Sequence, residues 1–596
     1  MPNHDYVPLM FQAQVNGRSQ IQKLENLSKK AEQLGVKKEK LSQQAYDWAK
    51  EWQDACDHSN IPQFESHAQI REFKFTWRMV TNSGQDAGVI RPVIGDRGWA
   101  YFPGSSMKGA FLRACKQKQH DGQQFCSDGE ILLFCGGKDQ EGELHPGILR
   151  FHGGYPKDDT WLNDSLVDVV HPQENWQTKN QDGHSAFIQI SLYKPTFIFG
   201  ISSTKELSDA QWSKVWEVWN KALSRGIGSR VSAGYGQVKA RNESRLLVVG
   251  LSGQGLASQR IDRVGEFRPN VFKAALRGHT RRLFYGVTDA DTAESITKQL
   301  WGGFAGQRGG IVGVLGVAFN APELLDDTYT YFQNGNPQDM PVYETGDALL
   351  SLLFMKDIST ADQKNLKVWV TQLIKFSMLL GGFGRSWRRV DHRIFSHYQL
   401  LPQYLKNDQN RNINPMIGCH WSFTDKFKTF YIPVNTLEDI TAFLNKSHQL
   451  TRDLILKGIL KFLSKQKYCI KPLTSGFRES WNQDNVEVWG RIAKHSGDTL
   501  AIAWFHKPYQ GEKLIKHSDL TGWSSINDRQ PKTKIGRVWH RMYPRYVKQG
   551  GELKATQEYI ELLTIFPNRD GDQEQVSKTE TFLRFLDQST SFKQLW

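Results

Sequence analysis

The feature that most constrains this chain is a pair of motifs that occurs twice in the same order. PGSSMKGAFLR, which contains Lys108, aligns with RPNVFKAALRG, which contains Lys273, so that positions 108 and 273 differ by 165. The later glycine segments GIG and GFG begin at positions 226 and 382, which differ by 156. Because two motifs at similar offsets are much harder to obtain by chance than either alone, the sequence predicts a duplicated module.

The order of elements within the first copy indicates a mixed sheet-and-helix unit. FKFTWRMV, GILRF, AFIQISLY and TFIFGIS are strand-like, and the first motif opens a helix that runs to about residue 119. Trp212, Val215, Val218 and Leu223 have helical spacing. A strand, a helix, strands, a helix and a final strand are the order of a split β-α-β unit, and the second copy repeats this plan.

The first motif also predicts a place for an anion. Pro103 and Gly104 make a turn, and Ser105 or Ser106 is the expected N-cap of the helix. Free N–H groups at a helix start favour phosphate, and Lys108 adds a cation in the first turn. The alternative is an ordinary capped helix that packs on a sheet.

The second copy strengthens the prediction of a phosphate-facing surface. Lys273, Arg277 and Arg281 are spaced four residues apart and form one basic stripe, while the other side of the helix is apolar. GRSWRRVDHR, at 384–393, places further arginines beside a tryptophan, which suits base stacking together with a hold on the RNA backbone.

The glycine segments do not fit a nucleotide-enzyme fingerprint. In GIGSRVSAGYG, Val231 stands where G-x-G-x-x-G requires its third glycine, and the chain contains no G-x-x-x-x-G-K-[ST] motif. The glycines therefore predict a loop on which a long ligand lies closely. A β-bulge or a tight hairpin is the alternative.

Charge and length limit the class of partner. A chain of 596 residues is expected to form two to four units, and 76 Lys and Arg against 62 Asp and Glu give a net charge of +14. This balance favours nucleic acid over a membrane, because the basic residues are spread among aromatics rather than along one amphipathic helix. Without a signal peptide or a long apolar run, a cytoplasmic protein is expected.

The cysteines offer one alternative site. Cys115, Cys126 and Cys135, with His120 between them, could be drawn as a zinc site, but their spacing fits no common zinc pattern. Buried thiols are therefore the preferred interpretation.

Taken together, these motifs resemble the RAMP superfamily of type III CRISPR effector subunits. The first half, with PGSSMKGAFLR, GILRF, GIGSRVSAGYG and DVVHPQENWQ, is similar to the sixth Cmr-type subunit. The second half, with FRPNVFKAALRGHTRRLFYG, LWGGFAGQRGGIVGV and LLGGFGRSWRR, is similar to the first Cmr-type subunit, although Ala274 replaces a motif glycine. The resemblance covers residues 73–395 and suggests a fused variant of a type III system.

The resemblance implies an α+β protein of tandem ferredoxin-like, RNA-recognition-like modules. The expected domains are an opening strand at 1–19, a helical insertion at 20–62, the first module at 63–245, the second module at 246–395 and a C-terminal unit at 396–596. The charges of the insertion are expected on a solvated face, with an RNA or subunit contact as the alternative. The C-terminal unit contains the β-prone stretches VEVWGRIA, TLAIAWFH, KIGRVWHRMY and YIELLTIF.

The function that the resemblance implies is that of a backbone or capping subunit that holds CRISPR RNA and the guide–target duplex. The expected partners are CRISPR RNA, target RNA, other type III backbone subunits and the large signalling subunit, with no membrane. The residues expected to bind RNA are Ser105, Ser106, Lys108, Arg113, Arg225, Gly226, Gly228, Arg230, Gly234, Tyr235, Asn270, Lys273, Arg277, Arg281, Arg385, Arg388 and Arg389.

The alternative function is that of a metal-dependent endoribonuclease which cuts target RNA. Family members often cut with an aspartate after the first strand, and Asp86 in TNSGQDAG is the matching candidate, followed by Asp96. An aspartate that simply forms a turn is the plain interpretation. Mg²⁺ is expected only if the chain cuts RNA, and no resident metal or other cofactor is expected. Guide processing by histidine acid–base chemistry is disfavoured, because the 17 histidines include no obvious pair.

Overall fold

A computed structural model of the chain confirms the α+β class. The structure describes residues 39–81, 84–86, 89–118, 123–164, 166–170, 187–238, 245–260, 264–304, 310–333, 336–384, 419–460, 463, 477–525, 532–567 and 573–596. The expected opening strand at 1–19 and residues 20–38 of the expected helical insertion lie outside these residues. Within them, no helix combines the length and the apolar character that crossing a bilayer requires.

The first module is built on a sheet in which strands from distant parts of the chain alternate. Its strand order is β7-β11-β1, and a single antiparallel bridge from Phe75 to Val238 extends the sheet beyond β1. The elements up to this bridge are α1 (Glu39–Ala55), β1 (Gln69–Lys74), β2 (Arg78–Met79), β3 (Gly84–Asp86), β4 (Val89–Arg91), α2 (Gly104–Cys115), α3 (Asp128–Cys135), β5 (Gly136–Lys138), β6 (Leu144–Pro146), β7 (Leu149–Pro156), β8 (Val167–Val170), β9 (Phe187–Ile190), β10 (Leu192–Tyr193), β11 (Thr196–Ser203) and α4 (Asp209–Leu223).

Helices α2 and α4 cover this sheet because each presents an apolar face to it. Met107 and Phe111 of α2 and Trp216 and Trp219 of α4 are fully buried in one core. Helix α1 of the insertion joins the same core through Trp52, whose ring lies 5.0 Å from that of Trp161. Asp47, Lys50 and Asp54 of the same helix are exposed, in agreement with the solvated-face interpretation.

The second module repeats this arrangement in a five-stranded sheet. Its main order is β17-β19-β12-β20, β18 also pairs with β19, all neighbours are antiparallel, and α5 and α7 pack on the sheet. The elements are β12 (Arg245–Leu256), β13 (Ser258–Gln259), β14 (Gly265–Glu266), α5 (Asn270–Tyr285), α6 (Ala290–Trp301), β15 (Gly303–Phe304), β16 (Gly310–Ile311), β17 (Leu315–Asn320), β18 (Leu325–Gln333), β19 (Asn336–Phe354), α7 (Thr360–Leu380) and β20 (Cys419–Phe423). The domain boundaries stay predictions, and β20 lies beyond the expected boundary at 395.

The C-terminal unit contains a further antiparallel sheet of order β24-β25-β21-β26. TLAIAWFH was expected as β-prone, and this is wrong because residues 501–506 form a helix. The elements are α8 (Glu438–Leu456), β21 (Glu487–Ala493), α9 (Ala501–His506), β22 (Gly522–Ser525), β23 (Lys532–Ile535), β24 (Val538–Gln549), β25 (Glu552–Ile565), α10 (Gln573–Ser589) and β26 (Lys593–Gln594).

The cores show which units depend on each other. The first module has a core of its own, whereas one continuous core contains residues from Leu246 to Leu595 and therefore joins the second module to the C-terminal unit. Arg541 of β24 crosses between these two units and donates to the backbone oxygen of Trp421 at 2.8 Å. The C-terminal unit thus completes the packing of the second module.

Candidate nucleic-acid interface

The start of helix α2 has the exposed character that the sequence predicts. The helix begins at Gly104, directly after Pro103, and no side chain of the N-cap residue closes it. The expected N-cap at Ser105 or Ser106 is therefore wrong, because both serines already lie in the first turn. Ser105, Ser106 and Lys108 are exposed. Serine hydroxyls and an ammonium group stand together at this helix start.

Close packing explains the glycine at this helix start. A Cβ on Gly104 would lie 2.0 Å from the carbonyl oxygen of Phe151 in β7, so any larger residue would push α2 away from the sheet. A Cβ on Gly109 would meet only the guanidinium of Arg113, at 3.7 Å. Arg113, also expected to bind RNA, is exposed on the same helix.

Other helices of these two modules begin in a different way. Side chains of Ser127, Ser208, Asp289 and Ser359 accept N–H groups at the starts of α3, α4, α6 and α7. Helix α5, which carries the second motif, follows a proline as α2 does and has no side-chain cap. The two motif helices therefore share a feature that these four neighbours lack.

The first glycine loop, residues 226–238, lies against its own module. Gly228 and Gly236 have φ values of 85° and 61°, and a Cβ would come within 2.4 Å of the Val80 oxygen and 1.8 Å of the Ile227 oxygen respectively. Gly226 has a φ of 79° and faces the amide of Gln237. The tight-hairpin alternative thus accounts for these glycines without a ligand.

The same loop reaches the second motif, and we call this meeting place the junction (Arg230, Ser232, Lys273 and Arg277). The ammonium of Lys273 donates to the hydroxyl of Ser232 at 2.6 Å. Arg230 and Arg277 are close enough to act electrostatically on Lys273. A cationic cluster therefore forms where the first module touches the second.

Burial and like charge weaken the protonation of the junction lysine. Burial is the larger cause, and the charges of Arg230 and Arg277 add to it, so that the pKa of Lys273 is lowered from 10.5 to about 7. The contact of Lys273 within the described residues is a hydroxyl, which leaves its charge uncompensated. A bound anion would relieve this arrangement.

The start of α5 contributes to the junction through side chains rather than N–H groups. The N–H groups of Val271 and Phe272 donate to the carbonyls of Arg268 and Pro269, each at 3.1 Å. Asn270 is half-buried at the first helical position. The helix start therefore has fewer open donors than α2, and the cations must provide any hold on an anion.

Some of the expected RNA-binding residues have protein partners. Arg281 is 5% exposed and pairs with Glu294 at 2.6 Å, so the basic stripe on α5 does not continue to its last turns as an open surface. Arg225 pairs with Asp357 of the second module. Gly234 lies near Pro269, with its would-be Cβ 3.4 Å from the proline Cβ. Arg225 and Gly234 thus help to join the modules.

A buried ionic network fixes the two modules behind the junction. Arg78 forms a two-pronged pair with Glu266, at 2.7 and 2.5 Å, and its side chain is fully buried. Asp168 pairs with Arg268 at 2.9 Å and accepts the hydroxyl of Tyr235 at 2.7 Å. Tyr235 was expected to bind RNA, but a fully buried ring cannot reach one. Sequence patterns gave no sign of this network, because its partners are distant in the chain.

The two aspartates proposed for cleavage are not brought into the junction by any contact of the described residues. Asp86 ends strand β3, and its side chain lies outside the description. Asp96 is exposed, with its carboxylate 3.7 Å from Arg97. Cleavage stays a prediction. Arg385, Arg388 and Arg389 also lie outside the described residues.

Two of the three cysteines contact the third, and the zinc alternative stays a prediction. Cys115 forms hydrogen bonds with Cys126 and Cys135, which together with burial raise its pKa, and all three thiols are buried. His120 lies outside the described residues. In the described part, the side chains with ligand atoms within 4.8 Å of one another are Asp139, Glu143 and His145, on the exposed β5–β6 hairpin.

Comparisons with known proteins bear on the family resemblance. Cmr6 from Pyrococcus furiosus is 16% identical over 30% of this chain and 100% of its own, with a TM-score of 0.19. A chain of the type III-B Cmr-beta complex bound to cognate target RNA is 8% identical over 57% of this chain and 99% of its own, with a TM-score of 0.27.

Both of these structures are of Cmr proteins. They are of the kind that the sequence motifs resemble, namely subunits of type III CRISPR complexes. No family model and no curated protein matches the chain. With TM-scores of this size, the contacts of the chain itself must indicate which residues act.

Proposed function

We propose that this chain is an RNA-binding subunit of a type III CRISPR complex and that it holds the guide at two places. One is the start of α2 with Ser105, Ser106 and Lys108, and the other is the junction. The partners would be CRISPR RNA, target RNA, other backbone subunits and the signalling subunit. Each module would be ferredoxin-like, which the repeated strand order supports.

The junction is the observation that carries this proposal. Ser232 of the first glycine loop contacts Lys273 of the second motif, so two segments that the sequence predicts to bind RNA meet in the structure. Arg230 and Arg277 add charge at the same place. Within the described part of the chain, the contact of Lys273 is a hydroxyl and two arginines lie near it in a partly dry site. Such a site suits a phosphate, because a phosphate supplies the missing negative charge and several acceptor atoms.

The α2 start supports a second contact of a different kind. Its helix is 12 residues long, its N-cap is a proline, and Ser105 and Ser106 of its first turn are exposed, while the Gly104 N–H donates to the Tyr101 hydroxyl at 3.2 Å. Such a helix end carries a partial positive charge that stabilises phosphate. Lys108 is placed to add a full charge to it. The two contacts would hold successive parts of one RNA strand over the first two modules.

The test is the affinity of the full chain for a labelled guide RNA over a range of salt concentrations. We expect Lys108→Ala and Lys273→Ala each to weaken binding and to reduce the salt slope by about 0.7, the value for one phosphate contact on a single strand. The matched control is Lys205→Ala, which removes an exposed lysine just before the serine-capped helix α4.

The control variant should bind RNA as the parent does. If Lys108→Ala and Lys273→Ala also keep the parent's affinity and salt slope, neither place binds phosphate and the proposal is wrong. Because Lys273 is largely buried, its variant is compared with the parent by thermal unfolding, so that a loss of fold is separated from a loss of contact.

A further inference from the structure

We infer that residues 487–594 form a third copy of the same module, in which Glu561 takes the place that an RNA phosphate would occupy at the helix start. The inference rests on the proposed function, because it compares this helix start with those of the first two modules. It assigns the C-terminal unit a structural role and ends the RNA path at the second module.

Residues 487–594 have the strand order of the first two modules. In sequence, β21 is followed by α9, the paired strands β22 and β23, and then β24, β25, α10 and β26. Apart from the β22–β23 pair, this is a strand, a helix, two strands, a helix and a strand, and in space the order is β24-β25-β21-β26 with every neighbouring pair antiparallel. The main elements of the second module (β12, α5, β17, β19, α7 and β20) have the same order in both respects, with α6 and short strands inserted between them, and the first module has it with the bridge at Val238 as its last strand.

Helix α9, which follows the first strand of this unit, begins at a carboxylate. Glu561 lies on β25, and its carboxylate accepts the N–H groups of Leu500 at 3.1 Å and of Ala501 at 3.0 Å. It also accepts the hydroxyl of Thr499. Since the carboxylate fills the start of α9, a phosphate would meet both an occupied space and a negative charge there.

The side chains around Glu561 differ from those around Lys273. Arg491 donates to Glu561 at 2.7 Å and pairs with Asp498 at 3.0 Å, and His540 lies 3.1 Å from Glu561. Although burial favours protonation, the hydrogen bond and charge of His540, with the charge of Arg491, lower the pKa of Glu561. Arg491 thus has two carboxylate partners inside the fold, whereas Lys273 contacts a hydroxyl.

The shared core indicates what this third copy does instead. Trp539, Ile560 and Leu562 of its sheet belong to the same core as the second module. A module whose helix start is occupied by its own carboxylate binds no phosphate there. It can therefore bury one side of its sheet against a neighbour without losing an RNA contact. Its task is to support the second module.

The experiment uses the full chain with guide RNA that carries a photoreactive 4-thiouridine at each position in turn, and crosslinked peptides are mapped. We expect crosslinks in the first and second modules and none at residues 498–506. Crosslinks at 498–506 would overturn the inference and leave the proposed function intact. Crosslinks in none of the three modules would overturn the proposed function and the inference with it.

A variant separates the structural role from RNA binding. Glu561→Gln keeps the size of the side chain but removes its charge, so we expect a lower Tm with an RNA affinity within twofold of the parent. The control is Glu558→Gln on the same strand, whose partly exposed carboxylate pairs with Arg545. RNA binding more than threefold tighter in Glu561→Gln than in the control would contradict the inference. If Glu561→Gln does not fold, the crosslinking experiment alone tests the inference.

Discussion

At the scale of single residues, the junction differs from an ordinary basic surface because its lysine is largely removed from water. An exposed lysine attracts RNA at any pH near neutrality. Lys273 instead has a pKa of about 7, since burial and two arginines oppose its charge. Its hold on a phosphate should therefore depend on pH in a range where an exposed lysine has no such dependence.

The pH dependence of RNA binding is a direct prediction. A phosphate beside Lys273 raises its pKa again, so binding takes up a proton above pH 7, and the affinity of the parent should fall between pH 7 and pH 9 by at most about tenfold per pH unit. Lys273→Arg stays charged throughout, so its affinity should remain flat. Equal slopes for the two proteins would show that Lys273 does not meet the phosphate.

The same shift predicts how the protein without RNA responds to pH. Between pH 7 and about 10, the unfolded chain holds a proton on Lys273 that the folded chain has lost. Stability from this residue should therefore rise with pH over that window. Urea unfolding of the parent and of Lys273→Met at several pH values measures it, and the difference between them should narrow as the pH rises.

At the scale of elements, the position of α2 depends on one close backbone contact. Gly104→Ala would place a methyl group 2.0 Å from the Phe151 oxygen. The helix start must then move, so we expect weaker RNA binding and lower stability. Gly109→Ala is the control, because it meets only a flexible arginine and alanine favours a helix interior by up to about 1 kcal/mol. If both variants bind RNA equally well, the position of the α2 start does not matter for binding.

Much of this architecture could be predicted from the sequence, for identifiable reasons. Alternating residues in FKFTWRMV and TFIFGIS and the helical spacing of Trp212 to Leu223 reflect burial on one face, so they indicated the element types. The run AIAWFH forms a helix although its composition predicts a strand, because a short apolar run has no periodicity that separates a strand from a buried helix. The capping serines were misplaced because the proline before Gly104 takes the N-cap position.

The parts of the site that could not be predicted are those made between distant segments. Lys273 and Arg277 could be chosen from spacing alone, but Ser232 becomes a partner only when two modules pack together. In the same way, Tyr235 of the first glycine loop is among the residues expected to bind RNA, whereas it is fully buried and donates to Asp168. Local patterns indicate which residues can bind RNA, and tertiary packing decides which of them remain available.

At the scale of the whole molecule, the buried pair of Arg78 and Glu266 should hold the first two modules in one geometry. Glu266→Ala leaves a buried guanidinium without its main partner, which costs about 3–5 kcal/mol. The matched control is Glu72→Ala, which breaks the half-exposed pair with Lys157 and should have a much smaller effect. Urea unfolding measures both, and a cost for Glu266→Ala as small as that of the control would contradict the assigned role of the pair.

Because Arg78 and Glu266 lie in one chain, dilution of the protein does not separate the two modules that they join. Modules on separate chains must meet by diffusion, so at low abundance many of them would be single. In one chain, the two charged groups are present to each other at an effective concentration of millimolar order, whatever the number of molecules in the cell. Every copy therefore carries both halves of the junction in a fixed one-to-one ratio, and the composite surface does not depend on balanced synthesis of two proteins.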